Sequence, residues 1–173
     1  MGKQNGEERT DKIKLEELLN FVREKYEEFS KAPFHSFSEF VDENGKPRRG
    51  VLNYGGVYVV YEGDDPIYVG SAGKGRHVLR YRLGDLFSDY RGKQGERKYY
   101  HTLTKKLLEG EYKRFNTLEE VQKFYIEKCR LKILQIEQIR KAVLMEAVLI
   151  NLKEPKYNKE TEDKTKSNAP PPL

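Results

Sequence analysis

Gly56-Val57-Tyr58-Val59-Val60-Tyr61 and Pro66-Ile67-Tyr68-Val69-Gly70 are two β-rich runs, with the turn cluster Glu62-Gly63-Asp64-Asp65 between them. Val, Ile and Tyr suit a pleated, half-buried surface, and Gly with Asp supplies a tight reversal, so the stretch reads as a hairpin. Directly opposed residues share one face of a sheet. Tyr58 and Tyr68 therefore face the same way only if the loop holds an odd number of residues or a bulge intervenes. Gly63 in a left-handed conformation fits a three-residue loop with a bulge, whereas a plain two-residue turn puts the phenols on opposite faces. The composition admits both registers.

Working outward, Leu15, Leu18, Leu19, Val22, Tyr26 and Phe29 recur at helical spacing, which predicts an amphipathic helix from Asp11 to about Ser30 with one buried stripe. Residues 1–10 read as disordered. Residues 31–55 read as an irregular connection whose Phe34, Phe37 and Phe40 pack down, with a turn at Glu43-Asn44-Gly45-Lys46-Pro47. After the hairpin come a helical stretch at 76–90, a polar basic loop at 91–98 and a helix at about 101–109. A further helix at 117–127 has Thr117 as N-cap and Glu120 three residues on. Cys129 to Ile136 alternates as a third strand, Glu137 to Asn151 is helical, and the polar tail from Lys159 ends in three prolines and reads as disordered.

Charge narrows the function classes. Between Ser71 and Lys106 stand ten Lys or Arg against three acids, a net of +7 where the whole chain carries +5. Tyr81, Tyr90, Tyr99 and Tyr100 are interleaved with them. Cations neutralise phosphates while aromatic rings stack on bases, so this segment fits a nucleic-acid partner, or else an ordinary solvated face. Lys74, Arg76, Arg80, Arg91, Lys93, Arg97 and Lys98 are the candidate phosphate contacts. A single cysteine, Cys129, excludes an internal disulfide and a thiolate zinc cage. No stretch approaches the roughly 18 apolar residues of a membrane span. Met1 to Lys14 lacks the apolar core of a signal peptide, so a soluble intracellular protein is expected, without a membrane partner.

Glu146 is the only charge in Ala142-Val143-Leu144-Met145-Glu146-Ala147-Val148-Leu149-Ile150. Ile139, Val143, Glu146 and Ile150 fall on one helical seam, read here as core-facing. A carboxylate on such a seam costs several kcal/mol unless it is paired or binds a metal. Pairing to a structural Arg, or a position facing a wet crevice, is the plain alternative.

The two-part tyrosine motif, followed in order by Arg82, Glu146 and Asn158, resembles the GIY-YIG endonuclease family over about residues 55–158. The resemblance implies an α/β (α+β) fold with a small, mostly antiparallel three-stranded sheet flanked by helices. It divides the chain into an N-terminal helical extension (1–54), a nuclease domain (55–158) and a tail (159–173). It implies metal-dependent hydrolysis of DNA phosphodiesters, with RNA left open as a substrate, at a site built from Tyr58, Tyr68, Arg82 and Glu146. Glu146 would hold Mg2+ or Mn2+. Gly56, Gly70 and Asn158 would be structural. Leu79-Arg80-Tyr81-Arg82-Leu83 resembles the family's Arg-bearing helix; its flanking leucines favour Arg82, with Arg76 and Arg80 as alternatives. Ser71 stands where a Lys often follows the motif, and Lys74 is a candidate for that role. Leu86 stands where some members carry a His, which leaves His77 and His101 as accessory candidates. One site cuts one strand, so a double-strand break implies a homodimer or two nicks. The competing expectation is a non-catalytic nucleic-acid-binding module on the same fold. A third is a basic α/β protein with ordinary hairpin tyrosines and a Glu–Arg pair.

Overall fold

A computed structural model describes residues 4–42, 44–73, 78–91 and 98–158. In chain order it runs α1 (Gln4–Lys31), β1 (His35–Ser36), a 3-10 turn (Phe37–Glu39), β2 (Gly56–Glu62), β3 (Asp65–Ala72), α2 (Leu79–Asp85), β4 (Asp89–Arg91), β5 (Lys98–Tyr100), α3 (Thr102–Leu108), α4 (Leu118–Lys128), β6 (Cys129–Gln135) and α5 (Ile139–Lys153). Among the described residues the strands form an antiparallel four-stranded sheet, in the order β1-β6-β2-β3, and a separate β4-β5 ribbon. The sheet thus has four strands where three were expected. The extra one, β1, is two residues long, too short to carry an alternating pattern.

Central β2 has a neighbour on each side and helices over both faces, which is why its run is apolar almost without alternation. Tyr58, Val60 and Tyr68 face a core shared with Phe37, Leu79 and Leu83 of α2, Leu103 and Leu107 of α3, and Tyr125 of α4. Val57, Val59, Tyr61 and Val69 face a second core with Ala142, Met145 and Leu149 of α5 and Phe29 of α1. Fully burying one such side chain is worth about 1.5–3 kcal/mol, so each face is anchored by several comparable contributions.

The register question is resolved by a bulge. Tyr58 opposes Gly70 and Val60 opposes Tyr68, but Tyr61 opposes Pro66, leaving Ile67 as the extra residue. The connection itself is the two-residue Gly63-Asp64, with Gly63 left-handed at φ +62°. One unpaired residue in β3 is enough to bring both phenols to the same face. The carbonyl of the bulged Ile67 accepts the backbone N–H of Tyr157 at 2.9 Å. Beside it, Asn158 clamps the open edge of β3: its Oδ1 accepts from the Val69 N–H at 2.7 Å and its Nδ2 donates to the Val69 carbonyl at 2.8 Å. The side-chain amide thereby occupies an edge position that would otherwise be open to another strand.

Elsewhere the expectations meet local physics. Thr117 and Glu120 form the reciprocal capping box at the start of α4. Helix α1 begins at Gln4, well inside the stretch read as disordered; no Gly or Pro interrupts residues 7–31, and extending a helix costs less than nucleating one. Its stripe is buried only at one end. Phe29 is 1% exposed, whereas Leu15 and Leu19 are 56% and 55% exposed. Helix α2 stops at Asp85, short of the expected 90, because consecutive Leu86 and Phe87 both enter the core and one helical face cannot take both. Their carbonyls accept from Thr104 Oγ1 and Gln122 Nε2, each at 2.7 Å. The expected basic loop at 91–98 begins and ends in strands, with Tyr90 opposite Tyr99. No helix among the described residues is long and apolar enough to cross a membrane.

Candidate active site

Tyr58 leaves β2 and lies across β3 at Gly70. A Cβ at position 70 would sit 2.5 Å from the Tyr58 hydroxyl oxygen, so only glycine admits the ring there. Gly56 has a similar reason: a Cβ would meet the Leu134 carbonyl oxygen at 2.1 Å. The Tyr58 hydroxyl is 3.1 Å from His101 Nε2. His101 caps α3, its Nδ1 accepting the Leu103 backbone N–H at 3.2 Å. The Tyr68 ring lies 6.3 Å from that of Tyr58 and meets the His101 ring edge-on at 5.5 Å. The Thr102 side chain, at the start of α3, is close enough to favour the ionised form of Tyr68 slightly.

Arg82 approaches from α2. Its Nη1 is 3.9 Å from Asp85 Oδ2, and its Nε is buried with no hydrogen-bond partner among the described residues. A buried guanidinium N–H without an acceptor is costly, while the Arg82 side chain as a whole stays 40% exposed. Arg80 also has a buried Nε without a partner there, but its guanidinium is committed to Tyr81, 4.4 Å over the ring and 2.6 Å from the hydroxyl.

Glu146 arrives from the other side. Helix α5 covers the face opposite the phenols, and of the seam expected to point into the core only Ile150 packs against it. Ala142, Met145 and Leu149 fill the core, whereas Ile139 and Val143 are about half exposed and Glu146 is half-buried. At the sheet edge Ser71 Oγ donates a short hydrogen bond to Glu146 Oε2. The expected pocket is therefore split around β3, with phenols, Arg82 and His101 on one face and the carboxylate on the other. They remain within electrostatic reach, since the carboxylate pushes the pKa of both phenols up. β3 is an edge strand, and the Tyr58 ring fills the space that a side chain at Gly70 would take.

Burial dominates the titration of the cluster. It pushes Tyr58 well above the ordinary phenol value; Tyr68 adds to the rise and Arg82 opposes it. Tyr68 is raised in the same way, by burial against Arg82. His101 is lowered to about 3, by burial and then by the Arg82 charge. At neutral pH the site thus presents two neutral phenols and a neutral imidazole beside a guanidinium. The cation beside Tyr58 is present, but it does not outweigh burial.

Among the described residues no three His, Cys, Asp or Glu side chains gather as a metal cluster. A cation here would have Glu146 as its carboxylate. That donor set fits a hard ion such as Mg2+, which takes one or two carboxylates and completes its shell with water and substrate phosphate. A cavity of about 430 Å³ opens elsewhere, between α1 and the β6–α5 turn, lined by Phe21, Lys25, Gln135, Gln138 and Lys141 among others. None of the phenol-site residues line it. Its position reflects the gap beneath a packed helix rather than the chemistry.

Of the candidate phosphate contacts, Lys74, Arg76, Lys93 and Arg97 lie outside the described residues, as do His77 and the tail. Arg91 and Lys98 stand opposite one another in the β4-β5 ribbon. Asn158 holds β3, as described. Two partners were not anticipated from sequence: Thr102 beside Tyr68, and Ser71 as a donor to Glu146. His101 was a candidate only as a displaced equivalent of a family His; the expected helix began at about 101, whereas His101 is the N-cap of α3.

No family model matches the chain, and no curated protein matches it. Among solved structures it is similar to the GIY-YIG N-terminal endonuclease domain of UvrC from Thermotoga maritima bound to its catalytic divalent cation, magnesium, at 21% identity over 62% of this chain and 86% of that one, with a TM-score of 0.35. Two point mutants of that domain, each with a tyrosine replaced by phenylalanine and a bound divalent cation, align at 21% and 20% identity over 63% of this chain and 87% of theirs, again with a TM-score of 0.35.

Proposed function

We propose that this chain is a metal-dependent nuclease of the GIY-YIG type that hydrolyses DNA phosphodiester bonds. The observation that carries the reading is the Tyr58 hydroxyl seated over Gly70, beside the Arg82 guanidinium and within electrostatic reach of Glu146. Arg82 offers its planar fork of donors to the phosphate and stabilises the charge that builds in the transition state. Tyr58, held as a neutral phenol, orients the attacking water. Tyr68, beside Thr102, fixes the second side of that water or phosphate site. Glu146, steadied by Ser71, would hold Mg2+ or Mn2+. Such a cation supplies Lewis-acid polarisation of the scissile phosphate and stabilisation of the leaving oxygen. The basic segment 74–106 would track the backbone. In this reading residues 55–158 form the nuclease domain, 1–54 an N-terminal extension and 159–173 a tail, in a soluble intracellular protein. A homodimer or two sequential nicks would give a double-strand break.

The test is incubation with supercoiled plasmid and Mg2+ or Mn2+, using wild type, Tyr58→Phe and Glu146→Ala. Wild type is expected to relax or linearise the plasmid. Tyr58→Phe should bind DNA with unchanged affinity and lose at least about 100-fold in rate, and Glu146→Ala should lose metal-dependent cleavage. DNA binding by wild type with no cleavage at any metal concentration would instead support the non-catalytic module.

A further inference from the structure

His101 is buried between the two phenols, and both of its ring nitrogens are engaged. Nδ1 faces the Leu103 backbone N–H, which can only donate, so Nδ1 must offer its lone pair. A neutral imidazole carries its one proton on the other nitrogen. Nε2 therefore bears the hydrogen and faces the Tyr58 oxygen at 3.1 Å. We propose that His101 is a positioning residue for Tyr58: a neutral imidazole protonated on Nε2, which donates to the phenol oxygen and turns the phenol's own proton away from His101. The backbone of α3 thus sets the polarity of the tyrosine hydroxyl through one ring. A histidine serving as a proton acceptor for Tyr58 would need the opposite tautomer, and that would set two N–H groups against each other at Leu103.

The groups facing His101 are Tyr58 from β2, Tyr68 from β3 and Arg82 from α2. None of them is an anion at neutral pH, so none favours the imidazolium. The bearing on catalysis rests on the nuclease reading above; the tautomer does not. The polarity matters because Tyr58 then meets a water or phosphate oxygen as a hydrogen-bond donor.

Two arms test the inference. In the first, nitrogen-15-labelled histidine is observed by long-range proton–nitrogen correlation in the wild-type protein. His101 is expected as the Nε2–H tautomer at pH 7, and its ring proton should shift in Tyr58→Phe while Nδ1 stays unprotonated. An Nδ1–H tautomer, or an imidazolium at pH 7, overturns the proposal. In the second, two variants separate the ring's two bonds. His101→Asn keeps a short acceptor for the helix cap but cannot reach Tyr58. His101→Gln places a terminal amide N–H nearer the phenol. With plasmid cleavage at a temperature below every variant's melting transition as readout, His101→Asn is expected to lose roughly 10–100-fold in kcat at unchanged KM, with partial recovery in His101→Gln. Wild-type kcat in His101→Asn, or equal losses in both variants, overturns the role. A chain that cuts no DNA yet shows the Nε2–H tautomer, with its response to Tyr58→Phe, removes the nuclease reading and leaves the assigned hydrogen bond standing.

Discussion

Tyr58 can extend over its neighbouring strand because residue 70 has no side chain. Gly70→Ala should therefore act through the tyrosine. A methyl group 2.5 Å from the hydroxyl must displace the ring, since the strand backbone is fixed by pairing. The expected cost is about 1–3 kcal/mol of stability, with loss of the bond to His101, read by chemical denaturation and by the His101 ring signal. His101 gives a pH prediction. Its pKa falls from an ordinary 6.5 to about 3 through burial and Arg82. Between those values the unfolded chain binds a proton that the folded chain refuses, so this contribution is fully present above about pH 6.5 and is lost as pH drops toward 3. Unfolding free energies measured from pH 7 to 4 should fall more steeply for wild type than for His101→Asn.

At the scale of elements, α1 is two helices in one. Its last turns are pinned by Phe29, and its middle carries leucines that touch little. Phe29→Ala should cost about 3–5 kcal/mol, and Leu19→Ser less than about 0.5 kcal/mol, when compared by thermal or urea unfolding. Apolar spacing located this helix but could not say how much of its stripe finds a partner, because the partner surface is assembled from β2, β6 and α5 far along the chain. The same limit explains α5. Its seam through Glu146 is apolar at Ile139 and Val143, yet the core took the neighbouring seam of Ala142, Met145 and Leu149. A helix that is apolar most of the way round does not reveal its buried face. By contrast, the hairpin and the Thr117–Glu120 cap were legible because their determinants lie within a few residues of each other. The bulge at Ile67 lay between: the two possible registers were legible, but the choice between them was not, and the bulged residue is held by a segment about ninety residues on, through Tyr157 and Asn158.

For the molecule as a whole, the basic segment makes an electrostatic prediction. If its cations neutralise phosphates, the logarithm of DNA affinity should fall linearly with the logarithm of salt concentration, by about 0.9 per phosphate contact on duplex DNA, whatever the sequence. A salt-independent affinity, measured by fluorescence anisotropy between low and moderate salt, would remove that role from the segment. The two tyrosines, Arg82 and Glu146 could be named as candidates from the sequence, but the placement of phenols and carboxylate on two sides of one strand could not, since spacing along a chain does not encode which layer a helix joins. That placement has an operational result. On the nuclease reading the acid and the aromatic hydroxyls are carried by separate layers, so cleavage would require both to stay docked, and the more weakly held layer would govern the working range. Gentle warming that loosens α5 should silence the protein while its far-ultraviolet circular dichroism is still nearly native, so that catalytic lifetime would report on one layer and spectroscopy on the other.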